Sequence, residues 1–169
     1  MLQQVVREQT LKALGWDESV LENLIHANDD SLHDPFMYTN MERLIDRLHE
    51  FAENQTHELL VVDTDYDTDG IMSACVLTAA LSVFGINHRV YIPSMKDGYG
   101  LSPKAIDDML STFSNVSMIL TADNGTNAVE GVQYAKTKGI PVLVTDHHLG
   151  SSALAPAEAI VNPNVQGDI

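Results

Sequence analysis

The run "LLVVDTDYDTDGIMSA", residues 59–74, joins a strand-like apolar segment to a helix-like one through four alternating aspartates, Asp63, Asp65, Asp67 and Asp69. On an extended chain, alternate side chains share a face at ~6.6–6.8 Å spacing. At an effective dielectric of ~20, two charges that far apart repel by roughly 2.4 kcal/mol. A fold that keeps such a row either turns the acids to water or gathers them around a cation. The EF-hand is excluded as the gathering device. Asp65, Asp67, Asp69 and Gly70 match its first, third, fifth and sixth loop positions, but the twelfth, which should be Glu, is Val76, and a strand stands where a helix should precede the loop.

Outward from this run, the chain alternates short apolar segments with helical patterns. The segments are "ELLVV" (58–62), "HRVYI" (88–92), "VSMILT" (116–121), "PVLVT" (141–145) and "EAIV" (158–161). The spacing predicts helices at about 70–84, 102–113 and 126–138, the last closed by Gly139. Uniformly apolar strands separated by helices imply a parallel sheet covered on both faces, an α/β fold. Upstream, residues 2–28 read as one or two short helices with Trp16 packed between them. "TNMERLIDRLHEFAENQ" (39–55) reads as a strong amphipathic helix with Thr39 or Asn40 as its cap. The expected division is a helical N-terminal extension over 1–56 and an α/β domain over 57–169, incomplete at its C-terminus.

Ligands of parallel sheets bind beyond the carboxyl ends of the strands. "DTDYDTDG" follows the first strand, "ADNG" the third and "DHH" the fourth, so acids and imidazoles distant in sequence are expected at one edge. "TDHHLG" (145–150) places two histidines there: one can ligate a metal while its neighbour contacts substrate, and Asp146 can orient an imidazole. "KDGYGLSP" (96–103) brings Lys96 and Tyr99 toward the same edge as substrate-binding candidates, and Ser102 and Pro103 open the next helix. His26, His33, His49, His57 and His88 are scattered and read as structural or exposed. Cys75 reads as a core residue, since nothing positions a base beside it. Carboxylates with an imidazole suit Mn²⁺ or Mg²⁺ better than structural zinc, which prefers thiolates. Two such ions would make a phosphoester hydrolase.

Composition bounds this reading. With 24 acidic residues against 9 basic, the 169-residue chain carries −15 and no basic footprint for nucleic acid. Either the chain binds no nucleic acid, or metal ions and other parts of a larger protein supply the positive field. No apolar run approaches the ~20 residues of a membrane span, so no membrane partner is expected. The lone cysteine rules out an intrachain disulfide and fits a cytoplasmic location.

"DYDTDG", "ADNG" and "TDHH" together resemble the first three metal-site motifs of the DHH phosphoesterase superfamily. "LHDPF" (32–36), "DGYGLSP" (97–103) and "APAEAIVNPN" (155–164) resemble its RecJ-type branch of single-strand-specific 5′→3′ exonucleases. The resemblance implies that Asp65, Asp67 and Asp69 form the first motif, with Asp67 and Asp69 holding and bridging two ions. It further implies that Asp123 bridges them, that His147 ligates, and that His148 contacts the scissile phosphate; Asp146, able to orient an imidazole, is the catalytic candidate beside His148. Asp63 has no counterpart and is expected to face solvent or to stand behind the ligands. Lys96 stands near the place where RecJ-type chains commonly carry Arg. The family continues with a fourth motif and a strand-gripping domain, so residues 1–169 alone are expected to bind single-stranded DNA poorly and hydrolyse it slowly. Replication or repair proteins are the further partners implied. Two other readings stay open: a DHH phosphodiesterase acting on short oligonucleotides or cyclic dinucleotides, and a non-catalytic DHH accessory protein.

Overall fold

A computed structural model describes residues 2–26, 32–54, 57–94 and 98–165. By compactness the chain divides into Met1–Asp34 and Pro35–Ile169. The first unit holds helices α1 (Leu2–Leu14) and α2 (Glu18–Ile25). Asp17 caps α2 by accepting from the amides of Ser19 and Val20, and Arg7 of α1 reaches Glu18 at 2.5 Å and Glu22 at 2.9 Å. Trp16, expected between the helices, keeps 42% of its surface exposed.

The second unit contains α3 (Met41–Asn54), β1 (Leu59–Thr64), α4 (Thr68–Val83), β2 (His88–Tyr91), α5 (Pro103–Thr112), β3 (Val116–Ala122), α6 (Val129–Thr137), β4 (Val142–Thr145) and β5 (Ala159–Val161). The five strands form one sheet in the order β2-β1-β3-β4-β5, and every neighbouring pair is parallel. Both faces are covered, as the uniformly apolar strands require. Leu60 and Val62 of β1 join Leu44 and Phe51 of α3 and Ala74 and Leu81 of α4 in one core. Leu59 and Val61 point the other way, into a core with Ile106 and Met109 of α5 and Val132 of α6.

Helix α3 therefore groups with the sheet, not with the N-terminal extension where the sequence reading places it. Its apolar stripe supplies Leu44 and Phe51 to the first core, so the compact unit begins at Pro35 and not at residue 57. Asn40, expected as a cap, sits just before α3 at φ +67°. Its amide instead donates to the Ile160 carbonyl of β5 at 3.2 Å, which ties helix to sheet edge. Ser102 does cap α5, accepting from the Ala105 amide at 3.1 Å. Cys75, read as core, is exposed on α4. That helix is apolar on every side, so its composition cannot say which face is buried: Ala74 and Leu81 turn inward, while Met72, Val76 and Val83 face out. Among the described residues no helix is long and apolar enough to cross a membrane.

The sheet order places the switch in winding direction between β1 and β3, where a crevice opens beyond the strand ends. Packing holds that geometry. Ile106→Ala, at a fully buried α5 position, is expected to cost about 2–5 kcal/mol. Val83→Ala, at 84% exposure, should stay within about 0.5 kcal/mol of the parent. Urea unfolding of the two variants checks the contrast.

Candidate metal centre

Three loops build the site. After β1 the chain turns through Asp65 and Asp67 into α4. Asp67 caps that helix, accepting from the Gly70 amide at 3.0 Å, and Asp65 accepts from the Tyr66 amide at 2.6 Å. Asp69 stands in the first helical turn with its side chain exposed. The turn is tight because residue 70 is glycine: a Cβ there would lie 2.6 Å from the Asp65 carbonyl oxygen. After β3, Asp123 takes a left-handed φ of +63° and Gly125 follows at +108°, so the chain reverses within a few residues. After β4 come Asp146, His147 and His148.

These loops meet. His147 Nε2 lies 2.9 Å from Asp123 Oδ1 and 3.6 Å from Asp69 Oδ2. Asp65, Asp67 and Asp123 can each present an oxygen within 4.8 Å of the others, and Asp123, His147 and His148 can do the same with one ligand atom apiece. Asp123 is common to both groups. Its carboxyl is pushed up from the ordinary range, first by burial and next by the negative charge of Asp69, with His147 pulling the other way. A carboxylate in that position gains most from a cation.

Asp146 is spent differently. One oxygen accepts from the backbone amides of His147 at 2.7 Å and His148 at 3.1 Å and from His148 Nδ1 at 2.7 Å; the other accepts from the Thr126 amide at 3.0 Å. Burial alone would raise its carboxyl, but the hydrogen bonds from His148 and Thr126 outweigh that and hold it low. The same contact raises His148, against a smaller opposing effect of burial. With Nδ1 donating to Asp146, Nε2 of His148 faces the Tyr99 hydroxyl at 2.8 Å. Burial and then the surrounding acids push the Tyr99 phenol up, so it keeps its proton. Lys96 lies outside the described residues.

Asp63 does not face solvent. It is 1% exposed in β1, registered between Tyr91 and Thr121, and neither carboxylate oxygen has a hydrogen-bond partner of good geometry. Burial pushes its carboxyl up to about 8; the nearby Asn124 amide opposes this and Asp65 adds to it. The alternation of acids cannot reveal this, because the strand runs on to Thr64 and only the last acids leave the sheet. Residues with a bracing role were also missed. Asn162 donates to Thr126 Oγ1 at 2.7 Å and to the His148 carbonyl at 2.8 Å, and Asn164 donates to the His147 carbonyl. The signal was an Asn-Pro-Asn turn directly after the fifth strand, at the same edge.

With this geometry in hand, comparison with known proteins is specific. Residues 59–168 match the model of the DHH family, N-terminal domain. The chain belongs to the DHH family. Among DHH relatives, the single-stranded-DNA-specific exonuclease RecJ of Salmonella typhimurium is 41% identical over 109 residues, 63% of this chain and 18% of the relative. The RecJ of Bacillus subtilis is 33% identical over 155 residues, 90% of this chain and 19% of the relative. The chain thus spans about a fifth of the length of these curated relatives. A solved structure of exonuclease RecJ bound to manganese shares the fold, with TM-score 0.70 and 23% identity, covering 82% of this chain and 34% of that one.

A DHH centre of carboxylates and imidazoles, with no thiolate among the groups that converge, fits an oxygen-preferring divalent ion. The buried Asp63 gives a pH test of its surroundings. In the folded chain it retains a proton that the unfolded chain releases near its ordinary value of 3.8, so between about pH 4 and 8 the unfolded state binds fewer protons and stability falls as pH rises. Asp63→Asn removes that loss. In chelator, the variant is expected to gain on the parent from pH 5 to pH 8, by at most about 1.4 kcal/mol per pH unit. Melting curves across that range check it; a difference that does not change with pH would place a charged Asp63 in the folded state at neutral pH.

Proposed function

We propose that this chain carries the site of a metal-dependent phosphodiester hydrolase that degrades single-stranded DNA from the 5′ end, as a RecJ-like exonuclease. The observation that carries the reading is Asp123, shared by two ligand groups and 2.9 Å from His147. Such an arrangement suits a pair of ions bridged by one carboxylate. The curated relatives, named as single-stranded-DNA-specific exonucleases, support the substrate class, and replication or repair proteins are the partners such an activity implies. Asp65, Asp67, Asp69, Asp123 and His147 would hold Mn²⁺ or Mg²⁺, which when bound supplies charge neutralisation and activation of water.

The remaining groups act on the phosphate. Asp146 fixes the His148 ring and its Nδ1 proton, which leaves Nε2 toward the Tyr99 hydroxyl. The raised basicity of His148 favours its imidazolium form, a cationic N–H donor for the phosphoryl oxygens as charge builds on them. Tyr99 retains its hydroxyl proton and offers a second donor beside it. Asp146 therefore positions, and His148 touches substrate. Lys96 remains a candidate phosphate contact by sequence.

Two measurements test the reading. Mn²⁺ is expected to raise the melting temperature of the parent. Asp67→Asn and Asp123→Asn should lose most of that shift while matching or exceeding the parent's stability in chelator, because like-charge repulsion is relieved. An equal Mn²⁺ shift in parent and variants would remove those carboxylates as ligands. For activity, slow Mn²⁺-dependent release of mononucleotides from a 5′-phosphorylated single strand is expected, with His148→Ala lowering it by ~10²-fold or more. Release that continues in chelator, or survives His148→Ala unchanged, would overturn the assignment.

A further inference from the structure

Only 9 of the 169 residues are Lys or Arg, against 24 acids. Within the sheet-bearing unit, Lys104 is 3.1 Å from Asp108 and Lys138 is 3.9 Å from Asp107. Three others share one place. Arg43, Arg47 and Lys136 converge on one cavity of about 530 Å³ at the amino-terminal ends of β4 and β5, lined also by Pro141, Val142 and Glu158.

The two arginines stand four residues apart on α3, hence on one helix face, and Lys136 comes from α6 on the opposite face of the sheet. Arg47 is anchored: its Nε donates to Glu158 at 2.6 Å and its Nη1 to Glu50. Among the described residues, neither Arg43 nor Lys136 has a carboxylate within ion-pair distance. With Arg47 held by Glu158 and Glu50, Arg43 and Lys136 are the two cations that reach the cavity without a carboxylate of their own among the described residues, in a chain of −15. Two like charges facing one concave surface, neither paired with a carboxylate, are suited to an anion from outside.

We propose that this cavity binds a phosphate group, at a site separate from the acidic edge. Guanidinium forks match phosphate oxygens and a lysine adds a point charge. The position follows from the strands. Val142 opens β4 at the cavity, whereas Thr145, three residue steps or ~10 Å along the same strand, leads into Asp146 and His147. A ligand here touches none of the metal-site residues, and the inference stands whether or not the hydrolase reading does. The phosphate can arrive on a single strand or as a free nucleotide or inorganic anion; doubly charged phosphate is the shared chemistry.

Calorimetric titration of the 169-residue chain in EDTA, which keeps divalent metal from drawing phosphate to the acidic edge, tests the site with two probes. These are pyrophosphate and a short 5′-phosphorylated deoxyoligonucleotide. The proteins are the parent, Arg43→Ala/Lys136→Ala, the milder Lys136→Gln, and Lys104→Ala as a control for a cation elsewhere. Arg43 and Lys136 are exposed, so the double variant is expected to melt with the parent in probe-free buffer. Pyrophosphate should bind the parent and weaken at least ~10-fold in the double variant and measurably in Lys136→Gln, while Lys104→Ala stays within about twofold. Oligonucleotide affinity that falls in parallel identifies a strand as the source; pyrophosphate binding without oligonucleotide binding identifies a free anion. Absence of binding by either probe, or equal affinity in parent and double variant, overturns the proposal.

Discussion

Mutual repulsion of carboxylates is the constraint around which this domain is built. Asp65, Asp67, Asp69 and Asp123 gather at the ends of two adjacent parallel strands in a chain already carrying −15. Backbone amides offset part of the cost: Gly70 donates to Asp67 and Tyr66 to Asp65. Asp123 has the His147 imidazole 2.9 Å away, which pulls its carboxyl down, but burial and then the negative charge of Asp69 outweigh that and drive it up. The same repulsion explains why the turn into α4 must be so close. Gly70 lets the helix amino terminus, with its partial positive charge, reach back against Asp65.

The histidine loop obeys a different economy. Asp146 is buried and ionised because four N–H groups converge on it, and removing any one leaves the others aimed at a less satisfied charge. Asn162 and Asn164 hold the carbonyls of His148 and His147 from behind. The backbone amides and carbonyls of His147 and His148 are therefore committed to the scaffold, which presents the two imidazole rings, that of His148 held by Asp146. That division, rigid backbone and presented side chain, is what a preorganised site needs. The groove beside His147 and Asp123 is walled on its far side by Met72, Val76 and Leu77 of α4, so charge is presented next to apolar surface and not to open water alone.

Sequence legibility followed the range of the forces involved. Strand and helix order were readable because short apolar runs alternating with helical patterns fit a parallel sheet covered on both faces, and the Ser102–Pro103 start of α5 was readable because capping is local. The convergence of "DTDYDTDG", "ADNG" and "DHH" was readable because in a parallel sheet every strand end points the same way. Where the reading failed, a long-range partner decided. The outward turn of Cys75 depends on which side of an all-apolar helix meets the sheet, and the place of α3 depends on Leu44 and Phe51 finding the β1 core. Asn40 reaches Ile160, 120 residues away, and no local rule anticipates that.

The four alternating aspartates show the boundary most clearly. Their spacing by itself determined that an unusual density of negative charge sits at a strand-to-helix junction, and the DHH motifs determined what joins it. Only the tertiary structure separated the four. β1 continues through Thr64, so Asp63 stays inside the sheet, buried against Asn124 and protonated to about pH 8, while Asp65, Asp67 and Asp69 leave it for the site. Alternation reports which residues share a face; the point at which the strand stops, and what covers it there, is set by the register with β2 and β3 and by packing from elements far away in sequence.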